Sequence, residues 1–281
     1  MRWDIGRRSA NVEDRRGIGV PVGLTGGIGA VVLVVLGLFF GVDPSVLVDI
    51  AGGGTAGYGS SRPPAPGEDR LADFVSVVLA DTEDTWTAAL REEGKQYREP
   101  KLVLYSGAVR SACGFGEAAT GPFYCPEEEK AYLDLAFFRD MELKLGAPGD
   151  FAQAYVIAHE IGHHVQKLLG ISDRVAAAQR RSDERGANAL SVRLELQADC
   201  FAGVWANRAD AARHMIEPGD VEEAIGAATA VGDDRLQKRS RGYVVPESFT
   251  HGTSAQRVRW FKRGLQSGAL GACDTFATRE L

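Results

Sequence analysis

Two histidines and a glutamate in the stretch His159-Glu160-Ile161-Gly162-His163 have the spacing of a hydrolytic zinc site. Residues four positions apart lie on one face of a helix, so the Nε2 atoms of His159 and His163 can reach the same metal ion. Glu160 lies about 100° around the helix from His159, where it can take a proton from the reacting water. The alternative is an ordinary pair of core or surface histidines, but the apolar flanks of the motif argue against a solvated face.

Helices must position these groups. Apolar residues at helical spacing predict a helix from Ala152 to Leu169, with Gly170 as its stop signal. On that helix His164 points about 100° away from His163. We therefore expect His164 to support a ligand from behind or to lie at the surface.

A third ligand is expected from another segment, because catalytic zinc usually has three protein ligands and one open position. The largely apolar stretch from Leu190 to Ala206 predicts a second helix, and Glu195 and Asp199 lie four residues apart on it. Burying this acidic pair is costly unless a cation compensates it, as a metal between the helices would. We assign Glu195 as the third ligand and Asp199 as the acceptor of a ring N–H from a ligating histidine. The alternative is an ion pair of Glu195 with Arg193 on a solvated face.

The chemistry that follows is hydrolysis with Zn²⁺ as the cofactor. Zinc held by His159, His163 and Glu195 would lower the pKa of water towards about 7. Glu160 would remove the proton as that water attacks a carbonyl, and would pass it to the leaving nitrogen.

The motif H-E-x-x-H followed by a helical E-x-x-A-D resembles the gluzincin class of zinc peptidases. The wider context resembles the bacterial membrane-anchored family called putative neutral zinc metallopeptidases. The matching segments run almost from end to end of the chain: Asn11–Arg16, Gly121–Pro126, Tyr132–Asp134, the His159 helix, Glu195–Gly203 and Phe249–Ser254. The resemblance implies a zincin-like fold and a peptidase acting on a peptide or protein substrate, without defining which one.

The resemblance also suggests a role for His251. Its Thr-His-Gly-Thr turn resembles the late histidine motif of membrane-linked gluzincins. We expect His251 to donate a hydrogen bond to the developing oxyanion. Tyr243 is the alternative donor.

The amino-terminal region predicts a membrane anchor. Residues 18–42 are assigned to one transmembrane helix, because Gly17 to Val42 contains no charged residue and can cross about 30 Å of hydrocarbon. Arginines precede this span, whereas no Lys or Arg occurs between Val42 and Arg62. The positive-inside rule then places residues 1–17 in the cytoplasm and exports the rest of a single-pass protein of the cell membrane. A cleaved signal peptide and a core helix are the alternatives.

The Gly-, Ser- and Pro-rich residues 43–69 are expected to form a flexible tether, followed by a metallopeptidase domain at 70–281. The predicted fold class is α+β: a mainly helical zincin-like domain with a small β-sheet, preceded by the transmembrane helix. The strand candidates are Lys101–Tyr105, Phe123–Cys125 and Ala131–Leu135. Further helices are expected from Arg70 to Glu93, from Asp220, and after a Thr253/Gln256 capping box.

Four cysteines agree with an exported domain. They allow three pairings, and we favour Cys113 with Cys125, which bracket a short Gly-rich loop, and Cys200 with Cys273. Four free thiols in a reducing compartment are the alternative.

Composition argues against a nucleic-acid-binding function. A net charge of −6, with 32 basic residues that are scattered along the chain, gives no indication of a nucleic-acid partner. Two alternatives to a protein peptidase stay open: a non-catalytic, zinc-stabilised binding module at the membrane, and a cell-wall peptide amidase.

Overall fold

The computed structural model describes residues 1–17, 67–117 and 121–281 of the chain. Most of the described chain is helical: α1 (Glu68–Glu92), α2 (Ala136–Leu143), α3 (Asp150–Leu168), α4 (Ile171–Gln179), α5 (Glu184–Arg213), α6 (Asp220–Ala230), α7 (Asp233–Arg241) and α8 (Ser254–Ser267). Short 3-10 turns occupy Pro246–Ser248 and Leu270–Cys273.

The helix ends follow from local capping. Thr253 and Gln256 form the predicted capping box at the start of α8, and Gly268 ends that helix in the left-handed conformation. The helix that carries Glu195 begins at Glu184 rather than at Leu190. The reason is that Asp183 caps it by accepting the N–H of Gly186.

A small sheet completes the fold. Strands β1 (Val12–Asp14), β2 (Lys101–Tyr105), β5 (Phe123–Cys125) and β6 (Lys130–Asp134) form one sheet in the order β1-β2-β6-β5. The pairs β1/β2 and β2/β6 are parallel, and β5 runs antiparallel to β6. Strands β3 (Ala108–Ser111) and β4 (Gly114–Glu117) form a separate hairpin. Two of the predicted strands are confirmed as β2 and β5, and the third, predicted at Ala131–Leu135, is β6, shifted by one residue.

The core lies where α1, α3 and α5 meet. Phe151 of α3 stacks on Trp205 of α5, and Phe201 of α5 meets Trp86 of α1 edge to face. Helix α8 packs against α5 with its backbone in direct contact. A Cβ atom on Gly264 would fall on the carbonyl oxygen of Cys200, so only glycine permits this approach.

The amino-terminal residues belong to the same body as the rest of the described chain. Strand β1 pairs with β2 in the sheet, and the backbone N–H of Ser9 donates to the carbonyl of Ser76 in α1. The amino group of Met1 lies 2.9 Å from Asp150 and 3.2 Å from Asp220. Residues 1–17 and the domain are therefore on one side of any membrane.

This arrangement corrects the membrane prediction. No helix within 1–17, 67–117 and 121–281 is long and apolar enough to cross a membrane. The predicted fold class is wrong in adding a transmembrane helix. The predicted localisation, a single-pass protein with residues 1–17 in the cytoplasm and an exported domain, and the membrane contact through that helix are wrong with it. Residues 18–42, and residues 43–69 up to position 66, lie outside the described residues.

The arginines explain why the topology argument failed. Arg7 contacts Glu83 and Asp84 of α1, and Arg8 pairs with Asp73 of the same helix. A count of positive charges beside an apolar segment cannot reveal that those charges have carboxylate partners in the folded domain.

Candidate metal centre

Close packing of α3 on α5 brings the predicted ligands together. A Cβ atom on Gly162 would lie 3.1 Å from the carbonyl oxygen of Ala198, tighter than ordinary contact. Glycine within the histidine motif therefore allows the two helices to approach. As a result, the histidines of α3 face Glu195 of α5.

The three predicted ligands converge on one point. Nε2 of His159 lies 3.2 Å from Oε2 of Glu195, and Nε2 of His163 lies 3.4 Å from Oε1. The ligand atoms of all three residues lie within 4.8 Å of one another. A single ion placed among them could contact two nitrogens and one carboxylate, which is a ligand set of catalytic zinc.

The other ring nitrogens define the tautomers. Nδ1 of His159 lies 2.9 Å from Oδ1 of Asp199, and Nδ1 of His163 lies 2.9 Å from Oε1 of Gln166. Both acceptors are oxygens, so each Nδ1 carries a proton and each Nε2 faces Glu195. At these distances a proton or a metal ion must lie between each Nε2 and the carboxylate. The donor set therefore fits a divalent metal.

The charges of the site lead to the same conclusion. Burial alone would raise the pKa of Glu195, but the facing imidazoles of His163 and His159 lower it well below its usual value. Burial opposes charging of His159, yet Asp199 and Glu195 outweigh it and raise its pKa to about 10. Carboxylates that favour a proton at this point also favour a metal ion in its place.

Glu160 lies beside this group. Burial raises the pKa of its carboxyl, and the positive charges of His159 and His163 oppose that shift. Within the described part of the chain, the Glu160 carboxylate has no hydrogen bond to another residue. It is therefore free to accept a proton from a bound molecule.

Asp199 is the centre of a buried network that orients His159. Its carboxylate is fully buried and accepts hydrogen bonds from the hydroxyl of Tyr155 and from two guanidinium nitrogens of Arg257, at 2.9 and 2.8 Å. Burial would raise the pKa of Asp199, but the charge of Arg257, followed by that of His159, lowers it. The carboxylate therefore stays ionised behind the ligand.

Sequence reasoning missed three members of this centre. Tyr155 lies four residues before His159, and Gln166 lies three after His163, so helical spacing could have indicated both. Gln166 is itself held by its amide nitrogen, which donates to the carbonyl of Leu194 at 2.6 Å. Arg257 comes from α8, 58 residues beyond Asp199, and no local spacing indicates it.

His251 lies on a loop organised by α7. Oδ2 of Asp233 accepts the backbone N–H groups of Thr250, His251 and Gly252 at 2.8, 2.7 and 3.0 Å. Nδ1 of His251 lies 3.2 Å from Oδ1 of Asp233, which leaves Nε2 for another partner. Burial lowers the pKa of His251, but Asp233 and the nearby charge of Glu195 raise it overall. The loop packs on α5 beside Glu195, since a Cβ atom on Gly252 would lie 3.3 Å from Leu196 and from Val192.

Tyr243 and His164 have different positions. The structure does not bring Tyr243 to the ligands, because its side chain lies on a surface loop and is 62% exposed.

His164 is fully buried, which excludes the predicted surface position. Its Nε2 lies 2.6 Å from the carbonyl of Arg98, and its Nδ1 lies 2.9 Å from the hydroxyl of Tyr124. Burial lowers the pKa of His164, so a neutral ring links α3 to β5.

The four cysteines form disulfides in the favoured pairing, Cys113 with Cys125 and Cys200 with Cys273. The first joins the β3/β4 hairpin to β5. The second joins α5 to the last 3-10 turn, where the carbonyl of Cys273 accepts a hydrogen bond from Gln197 at 2.9 Å. Gln197 in turn contacts Gln166, so this disulfide lies behind the partner of His163.

Comparison with known proteins now decides the family. The model of the family described as putative neutral zinc metallopeptidase matches residues 1–276. The chain belongs to this family. The match therefore covers β1 and all three predicted ligands.

Other chains are similar to this family member over most of their length. The uncharacterized protein YpfJ of Escherichia coli is 51% identical over 287 residues, covering 98% of this chain and 99% of its own. The uncharacterized protein Rv2575 of Mycobacterium tuberculosis is 41% identical over 218 residues, covering 74% and 73%. No solved structure matches the chain significantly.

Proposed function

We propose that this family member is a zinc-dependent peptidase that hydrolyses peptide bonds. The observation that carries the proposal is the convergence of His159, His163 and Glu195, with the unbonded carboxylate of Glu160 beside them. A site built only to stabilise the fold would need the ligands but would have no use for a free carboxylate next to them.

The residues then have separate roles. Zinc, when bound by the two histidines and Glu195, supplies a Lewis acid and lowers the pKa of water. Glu160 accepts a proton from the attacking water and delivers it to the leaving nitrogen. His251 donates a hydrogen bond from Nε2 to the oxygen that gains negative charge. Asp199, fixed by Arg257, holds the His159 ring in orientation.

Strand β5 offers a place for an extended substrate. Among the described residues it is the last strand in the order β1-β2-β6-β5, so its outer edge can pair with a peptide backbone. Tyr124 of β5 bonds to His164, which is next to His163 in the sequence. A peptide paired with β5 would therefore run close to the metal centre.

The test replaces Glu160 with Gln in the full chain. We expect unchanged zinc content and thermal stability, because the shape of the side chain is kept. Hydrolysis should fall about 10² to 10⁴-fold, because the general base is lost. Glu142→Gln, at an exposed position of α2, is the matched control and should cleave at the original rate.

The assay should compare a peptide library with cell-wall fragments, each with and without a chelator. Cleavage of peptides by Glu160→Gln at the original rate would refute the mechanism. Cleavage of wall fragments alone would favour an amidase. Binding of a partner by both forms, without any hydrolysis, would favour a binding module.

A further inference from the structure

The outer face of α7 carries positive charge on a chain whose net charge is −6. Arg235, Lys238 and Arg239 are exposed, and their spacing of three and four places them on one side of the helix. Within the described ranges, none of these three side chains has an ion pair or a hydrogen bond. We call these three residues the basic face.

The basic face lies on the helix that holds the loop of His251. Asp233, in the first turn of α7, holds the backbone of the loop that carries His251. A helix rises about 1.5 Å per residue, so Arg239 lies about 9 Å along the axis from Asp233. An extended peptide advances about 3.3 Å per residue. At about 100° per residue, the three cations lie roughly 140° to 240° around α7 from Asp233, on the side of the helix turned away from that loop. A substrate segment reaches the basic face only if it extends across α7 beyond the site.

The loop that follows α7 adds an apolar contact surface. Tyr243 is 62% exposed and Val244 is 38% exposed. The loop is held in place, because the backbone N–H of Val245 donates to Gln237 at 2.8 Å and Asn188 donates to the carbonyl of Glu247 at 3.1 Å. These side chains are thus presented by an anchored loop.

We propose that the basic face binds an acidic segment of the polypeptide substrate, while Tyr243 and Val244 contact its apolar side chains. The inference rests on the proposed peptidase function and specifies its substrate class. Charge complementarity carries the argument. Three exposed cations that have no carboxylate partner among the described residues, on the helix that holds the His251 loop, match glutamate- or aspartate-rich sequence.

The binding test uses the full-length, zinc-loaded Glu160→Gln protein, which should hold a peptide without cleaving it. Two fluorescent peptides differ only in a Glu-rich block that is Gln-rich in the second. Fluorescence anisotropy should show about tenfold tighter binding of the acidic peptide, since several exposed ion pairs each contribute modestly. Added salt at about 1 M should remove the difference, because it screens exposed charges.

Charge reversal locates the contact. Arg235→Glu, Lys238→Glu and Arg239→Glu together should bring the ratio of the two affinities to about one. The matched control reverses Lys101, Arg139 and Lys262, which are exposed cations on β2, α2 and α8, and should keep the preference for the acidic peptide.

The outcomes separate the two proposals. Equal binding of both peptides, or a preference that survives reversal of the basic face, overturns the inference. Binding of phosphatidylglycerol vesicles but not of the acidic peptide also overturns it. If wild-type protein cleaves both peptides equally well, the peptidase function stands and the inference fails. If it cleaves neither but binds the acidic peptide through the basic face, the peptidase function fails and the acidic-segment site stands.

Discussion

Arg257→Met should destabilise the protein by about 3 to 5 kcal/mol, because it leaves the Asp199 carboxylate charged and buried without its cationic partner. The Arg257 side chain is 5% exposed and that of Asp199 is fully buried, so water cannot replace the lost contacts. The two guanidinium hydrogen bonds, at 2.9 and 2.8 Å, are lost together. Unfolding in guanidinium chloride, followed by fluorescence, measures the change in the free energy of unfolding.

The same substitution in an Asp199→Asn protein tests whether the buried charge of Asp199 causes the loss of stability. In an Asp199→Asn protein no buried charge is left, so Arg257→Met should cost much less, and the coupling between the two positions should be large. Arg259→Met, at an exposed position of α8, should change stability by less than about 0.5 kcal/mol. A loss below about 1 kcal/mol for Arg257→Met, equal in both backgrounds, would refute the network as described.

The remaining predictions concern the ligands, the loop and the helix contact. His159→Ala, His163→Ala and Glu195→Ala should each abolish stoichiometric zinc binding, as measured by elemental analysis, and wild-type zinc content in all three variants would exclude the site. Asp199→Asn should weaken zinc binding only about 10 to 100-fold in a chelator competition. His251→Gln should lower kcat about 10² to 10³-fold at unchanged zinc content, and Tyr243→Phe should not; the reverse pattern would assign the oxyanion donor to Tyr243. Gly264→Ala should destabilise by about 1 to 3 kcal/mol or more in thermal unfolding, because its Cβ would meet the backbone of Cys200, while Gly226→Ala, which has open space, is the control. Equal stability of the two glycine variants would contradict the close contact of α5 and α8.

Local spacing predicted the parts of the site that lie within single helices. His159 and His163 share one turn of α3, and Glu195 and Asp199 share one turn of α5, so their types and intervals were sufficient. The capping box of α8 was readable for the same reason. These features depend on neighbours in the sequence.

The parts that were missed depend on long-range packing. Arg257 reaches Asp199 only because Gly264 lets α8 lie against the backbone of α5. Strand β1 contains one apolar residue, Val12, and forms because β2 offers it an edge. The arginines of residues 1–17 are charged whether or not the folded domain supplies carboxylate partners. Their ion pairs in the fold therefore cannot be predicted from a count of charges.

The pairing of β1 with β2 affects which shorter fragments of this protein can fold and stay soluble. A protein that begins at residue 67 would keep α1 and every predicted zinc ligand, yet it would leave the β1 side of β2 unpaired. Residues 102–105 of that strand are buried. An uncovered strand with buried apolar side chains is a template for edge-to-edge aggregation. Poor solubility of such a fragment would then reflect a missing strand, and it would say nothing against the metal centre.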